Sequence, residues 1–146
     1  MKRYARCLRP VFLLPILAFC LFGCDFDKRQ FIDVAKNTYE SFYNGSRAAD
    51  TTIDWRVVRI NDDEVGRMYA DMTTDYERAE FRKSQIARLR SICNMKGWNI
   101  TNVREWKIKD RGVESAIVAA DGPGGSIVIS MRKVGAQKRI EAIRIK

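Results

Sequence analysis

The sequence predicts an α+β domain, with helices over residues 31–96 packed on a four-stranded antiparallel meander over residues 98–146. Three observations predict it. From Phe31 to Met95 the apolar residues recur at spacings of three and four, the period of one helix face. After Gly97 the period drops to two, the period of a strand. Turn-forming clusters then fall at Asp110-Arg111-Gly112, Asp121-Gly122-Pro123-Gly124-Gly125 and Gly135-Ala136-Gln137, dividing the stretch into four strands with short links. A run of helices followed by a run of strands places the helices on one face of the sheet.

Residues 24–30 read as a short polar tether. The first helix carries Phe31, Ala35, Tyr39, Phe42 and Tyr43 on one face, and Asn44-Gly45 supplies a left-handed stop. Residues 46–60 both alternate and show helical spacing; we read a short helix that breaks near Asn61. A further helix starts at Asn61 or Asp62, with Val65, Met68, Tyr69 and Met72 as its apolar face and Asp62, Asp63 and Glu64 in its first turn, where negative charge is favourable. Those acids are consecutive, so they do not match a calcium loop. Thr74-Asp75-Tyr76-Glu77 has the form of a capping box and opens a helix to about Met95. Its apolar members are Tyr76, Ala79, Ile86, Leu89, Ile92 and Cys93, and its other face carries Arg78, Arg82, Lys83, Arg88 and Arg90.

Trp98, Ile100, Asn102, Arg104, Trp106 and Ile108 alternate as one side of the first strand. Val113, Ile117 and Val118 mark the second, Ile127, Ile129 and Met131 the third, and Ile140, Ala142, Ile143 and Ile145 the fourth. The glycines at 122–125 precede a strand rather than a helix and lack Gly-Lys-Ser/Thr, so they form a turn and not a phosphate loop.

The first 23 residues are set apart. Lys2, Arg3, Arg6 and Arg9 form a basic head, and Val11–Gly23 form an uncharged apolar run, the layout of an export leader. The run is short of the roughly 20 residues needed to cross a bilayer. It ends on Leu21-Phe22-Gly23-Cys24, which resembles the lipobox of bacterial lipoproteins. The resemblance implies cleavage before Cys24, acylation of its sulfur and new amino group, and a bilayer as first partner. Two or more acyl chains suffice for stable anchoring. It further implies a periplasm-facing protein, held at the inner membrane by Asp25 if the enteric sorting rule applies.

The order of elements over residues 28–146 resembles small lipoproteins of the NTF2-like and cystatin-like groups. That resemblance implies a sheet curled as a cone round the long first helix, a scaffold that hosts enzymes, carriers and binding modules alike. Such a cone would be lined by Tyr39, Phe42, Tyr43, Trp98 and Trp106, and Asp54 and Glu105, each beside a tryptophan, are the carboxylates best placed for raised pKa values.

Composition limits the chemistry. The 146-residue chain has no histidine, which removes Ser-His-Asp and Cys-His catalysis and His-held metals or haem. No metal, cofactor or enzymatic activity is expected. Removing the four leader cations from 27 leaves 23 against 18 acids, a net +5. That excess suits a protein beside anionic lipid, and the basic helix face at Arg78, Arg82, Lys83, Arg88 and Arg90 is the candidate contact. Export and the lack of an aromatic RNA-binding motif argue against nucleic acid. Cys93, the one cysteine after Cys24, reads as a small buried apolar residue. The leading expectation is a membrane-anchored envelope protein with a non-catalytic binding or assembly role, possible partners being other envelope proteins. A ligand-binding or enzymatic NTF2-like domain ranks second. An inhibitor of an envelope hydrolase ranks last, because a +5 chain repels basic targets such as lysozyme.

Overall fold

A computed structural model describes the backbone from Leu14 to Lys146 and the side chains from Asp27 onward. The basic head of the leader, the lipobox side chains and the Cys24 sulfur lie outside the described residues.

Helix α1 (Leu14–Asn44) buries the face its spacing predicts: Phe31, Ala35, Tyr39 and Phe42 are all core residues. Residues 24–30 do not form the expected tether; they belong to α1. Asp27 and Gln30 fix this part of the helix to the sheet through Arg111 and Lys138. Gly45, at φ 69°, takes the left-handed conformation that ends α1 and turns the chain back. Helix α2 (Ala48–Thr52) then docks on α1: the Ala49 amide donates to Ser41 Oγ at 3.0 Å, and the Thr38 and Thr52 hydroxyls lie 2.7 Å apart.

The expected helix over 46–60 covers only α2. Beyond it, Ile53 bridges Ile140, and β1 (Arg59–Ile60) pairs in parallel with the last strand. Asn61 takes φ 52°, its side-chain oxygen accepting from the Ile145 amide at 2.8 Å, so no helix starts there. Helix α3 (Val65–Ala70) begins later, and the acids 62–64 precede it instead of filling its first turn. Asp63 pairs with Arg88, and Glu64 pairs with Arg59 and Arg67.

Helix α4 (Asp75–Met95) opens on the expected capping box: Thr74 Oγ1 accepts from the Glu77 amide, and the Glu77 carboxylate accepts from the Thr74 amide. These donors hold the Glu77 carboxyl below its usual range. Only Leu89 and Cys93 of its apolar face are fully buried, and Tyr76 is exposed.

The sheet contains β2 (Arg104–Arg111), β3 (Ser115–Gly122), β4 (Gly125–Val134) and β5 (Gln137–Ile145) as the antiparallel meander, with β1 added at the β5 edge. It is an open, mixed five-stranded sheet in the order β1-β5-β4-β3-β2, not a purely antiparallel four-stranded one. Ala116, Val118, Ala120, Ile127, Ile129, Met131, Ile140, Ile143 and Ile145 face the helices. Ile140 and Ile143 both reach the core because the register shifts between Ser130 and Met131, leaving Glu141 as an extra residue on β5. Trp98 is not in a strand; β2 starts six residues later, after a turn in which Asn99 and Asn102 side chains bond neighbouring backbone amides. Val113, assigned to the second strand by its sequence, sits at the tip of the β2–β3 turn and is 97% exposed.

Candidate functional site

The aromatic residues proposed to line a cone come together, but as packed core. The Tyr39 ring lies 5.9 Å from Phe42, 5.5 Å from Tyr43 and 5.7 Å from Trp106. Tyr39 donates to the Asn99 carbonyl and Tyr43 to the Trp98 carbonyl, each at 3.1 Å. The Trp98 indole N–H donates to the Pro123 carbonyl at 2.9 Å, and its ring is 1% exposed. Burial, reinforced by the Tyr43 hydroxyl, drives the Tyr39 pKa upward, so this phenol stays protonated. The Cys93 thiol, buried near Tyr43, is pushed up to about 11 by desolvation, which makes it an inert filler rather than a nucleophile.

Neither carboxylate joins that cluster. Asp54 caps a turn, with Oδ1 accepting from the Arg56 amide at 3.3 Å. It lines a hollow of about 490 Å³ with Asp50, Trp55, Tyr69, Arg82 and Arg139. Glu105 is solvent-exposed, 3.9 Å from Lys107, on a left-handed backbone of φ 56° where β2 bulges. Among the described residues no group of three or more His, Cys, Asp or Glu is placed to hold a metal.

The feature with the character of a binding site lies elsewhere. A groove of about 760 Å³ runs between the C-terminal end of α1 and the second to fifth turns of α4, from Ala79 to Arg90. Phe42, Tyr43, Ala79, Ile86 and Ala87 give it an apolar floor, and Arg47, Arg82, Lys83 and Arg90 give it a basic rim. Asp50 is the one acid among its lining residues.

The local sequence builds this groove. The turn at Gly45 carries Arg47 and Asp50 back toward α4. Residues 79, 82, 83, 86 and 90 share one face of α4 by helical spacing. Arg82 is held rigidly: Nε lies 2.5 Å from Asp50 Oδ1 and a terminal nitrogen donates to the Tyr69 hydroxyl at 3.0 Å. The Arg90 guanidinium stands 5.9 Å from the Tyr43 ring centroid. Lys83 is 79% exposed, its ammonium 3.8 Å from Glu80.

The five α4 cations singled out by the sequence thus divide. Arg82, Lys83 and Arg90 rim the groove. Arg78 stacks over Tyr69 and lies 3.7 Å from Asp75, and Arg88 pairs with Asp63. Of the candidate pocket residues, Phe42 and Tyr43 line the groove, Asp54 lines the neighbouring hollow, and Tyr39 and Trp98 are core. Sequence reasoning missed Arg47, Ser41 and Ile86 as groove residues; the reversal at Asn44-Gly45 was the available clue for Arg47.

Compared with protein-family models, curated proteins and solved structures, the chain matches none. Among the described residues no helix is long and apolar enough to cross a membrane.

Proposed function

We propose that this chain is a lipid-anchored protein of the bacterial cell envelope with a non-catalytic binding role, taking an anionic partner in the α1–α4 groove. The observation that carries the anchoring is Leu21-Phe22-Gly23-Cys24, closing an apolar run behind a basic head. The groove supports the binding half, with four cations and one acid around an apolar floor that fits an acidic, amphipathic surface of another envelope protein. Solid packing at Tyr39, Phe42 and Trp98, and the separation of Asp54 from them, favour a binder over an enzyme built on a central cavity. The order of helices before sheet, with α1 against the meander, supports kinship with NTF2-like or cystatin-like lipoproteins; the parallel β1 is an addition to that pattern.

Two measurements test the reading. The wild-type protein fractionates with membranes and Cys24→Ala does not; a Cys24→Ala protein that stays membrane-bound refutes lipid anchoring. A photo-crosslinker at Ile86 captures a protein partner in intact cells, and Lys83→Glu with Arg90→Glu abolishes that capture. Capture that survives the double charge reversal rules out the groove as the binding site.

A further inference from the structure

The anchor end of the molecule has its own surface chemistry. Asp27 follows Cys24 by three residues, less than one helical turn. Its carboxylate is tied to two strand ends at once, 2.9 Å from Arg111 of β2 and 2.9 Å from Lys138 of β5. The Lys138 side chain is 5% exposed, and its ammonium donates to the Gln30 side-chain oxygen at 2.6 Å and lies 4.9 Å from the Phe31 ring centroid. The start of α1 after Cys24 is therefore fixed against the end of the sheet that carries the β2–β3 and β4–β5 turns. Those turns are joined to each other, the Lys133 amide donating to the Glu114 carbonyl at 2.6 Å.

Val113 is an apolar residue in the β2–β3 turn, and Val134, the last residue of β4, adjoins the β4–β5 turn at the edge of the hollow that Asp54 and Arg82 also line. Val113 is 97% exposed and Val134 is 47% exposed. Around them Lys109 and Lys133 are exposed, with Arg111 beside them and Asp110 and Glu114 as the acids of the β2–β3 turn. The other end of the sheet carries the β3–β4 turn, where Trp98 donates to the Pro123 carbonyl and Met95, 78% exposed, closes α4.

We propose that the β2–β3 and β4–β5 turns form a membrane-apposed face, with Val113 and Val134 entering the headgroup boundary and Lys109 and Lys133 meeting anionic phosphates. The occupant is the bilayer that holds the anchor. The assignment rests on the anchoring proposed above and adds an orientation to it. Small apolar tips flanked by lysines match the two forces available at an anionic surface, apolar burial and attraction to the negative leaflet.

The test uses the full, lipidated protein reconstituted into phosphatidylethanolamine–phosphatidylglycerol vesicles. An environment-sensitive fluorophore is placed on Val113→Cys, on Val134→Cys and, as a control at the opposite end, on Met95→Cys. Buried Cys93 is out of reach of the reagent. Vesicle flotation is scored first and separately. The expected result is flotation of all three, blue-shifted emission quenched by spin-labelled lipid at 113 and 134, and aqueous emission at 95. Restoring aqueous emission at 113 by Lys109→Gln with Lys133→Gln completes the case. Flotation with aqueous emission at both 113 and 134, or with the lipid signal at 95 instead, overturns this orientation while leaving the anchor intact. Failure to float overturns the anchor reading and this one with it. Val113 makes so little contact that its replacement leaves folding unchanged, and Val134 provides the second position.

Discussion

Replacing Asp27 with alanine leaves the Lys138 ammonium buried, with the Gln30 oxygen and the face of Phe31 as its remaining partners among the described residues. The cost can be bracketed. An exposed ion pair contributes about 0–1 kcal/mol, whereas removing one partner of a fully buried pair costs about 3–5 kcal/mol. Here Lys138 is 5% exposed and Asp27 26%, and Gln30 still accepts from the ammonium. Asp27→Ala should therefore destabilise by about 2 kcal/mol. Lys138→Met removes the buried charge itself, keeps the apolar stem and leaves Asp27 with Arg111, so it should cost under about 1 kcal/mol. The order of the two is the informative result. Urea unfolding followed by tryptophan fluorescence measures both, with an unchanged m-value as the check on two-state behaviour. Equal costs, or Lys138→Met costing more, would refute the view that the buried ammonium is what Asp27 compensates. Acid adds a second axis. Lys138, by hydrogen bond and charge, and then Arg111 and Lys133 hold the Asp27 carboxyl below its ordinary 3.8. A lowered carboxyl gives stability that is present above the unfolded value and lost as pH falls through the folded one. The gap between wild type and Asp27→Asn is therefore full at neutral pH and closes below pH 3.8.

Three further outcomes follow from the packing. Trp98→Ala removes a fully buried indole and its bond to Pro123, and should cost about 3–5 kcal/mol in chemical unfolding. Gly122→Val places a Cβ about 2.7 Å from the same indole, so the ring must shift; a loss of about 1–3 kcal/mol is expected, and the loss should largely vanish in a Trp98→Ala background. Cys93, with its thiol pushed up to about 11, should resist iodoacetamide at pH 8 in the folded protein and react on unfolding, as read by peptide mass spectrometry.

What was legible in the sequence is what local chemistry determines. The α1 face from Phe31 to Phe42 repeats at the helical period over three turns, and nothing nearby competes with it. The Thr74–Glu77 box satisfies its own amides and depends on no distant residue. Strand β1 was hidden because it has two residues and its partners, Ala142 and Ile143, are more than 80 residues away. Trp98 was misplaced because its alternation with Ile100 and Asn102 is coincidental; the Asn99 and Asn102 side chains divert the backbone into a turn before the strand begins. The double burial of Ile140 and Ile143 was a visible clash with strict alternation, and the extra residue at Glu141 resolves it. The groove was half legible. The α4 cations were in view, but their separation into rim residues and intramolecular pairs depends on where Asp50, Asp63 and Tyr69 come to lie.

On the readings proposed above, the two attachments answer differently to salt. A bilayer's negative surface potential decays with the Debye length, about 8 Å at physiological ionic strength. Attraction of a partner to Arg47, Lys83 and Arg90 is screened over the same length. On these readings those cations serve a partner protein, whereas Lys109 and Lys133 act on lipid. Raising the salt should therefore separate the two attachments. Acyl chains hold by apolar burial, at about 0.8 kcal/mol per methylene, and are indifferent to screening. A partner held by the groove's charges should be released from membranes washed at about 1 M salt, where the Debye length falls to about 3 Å, while the protein itself stays in the pellet. Co-release of protein and partner would mean that charge, not acylation, holds the chain at the bilayer; retention of both would mean that the apolar floor of Phe42, Tyr43 and Ile86, rather than the basic rim, carries the binding.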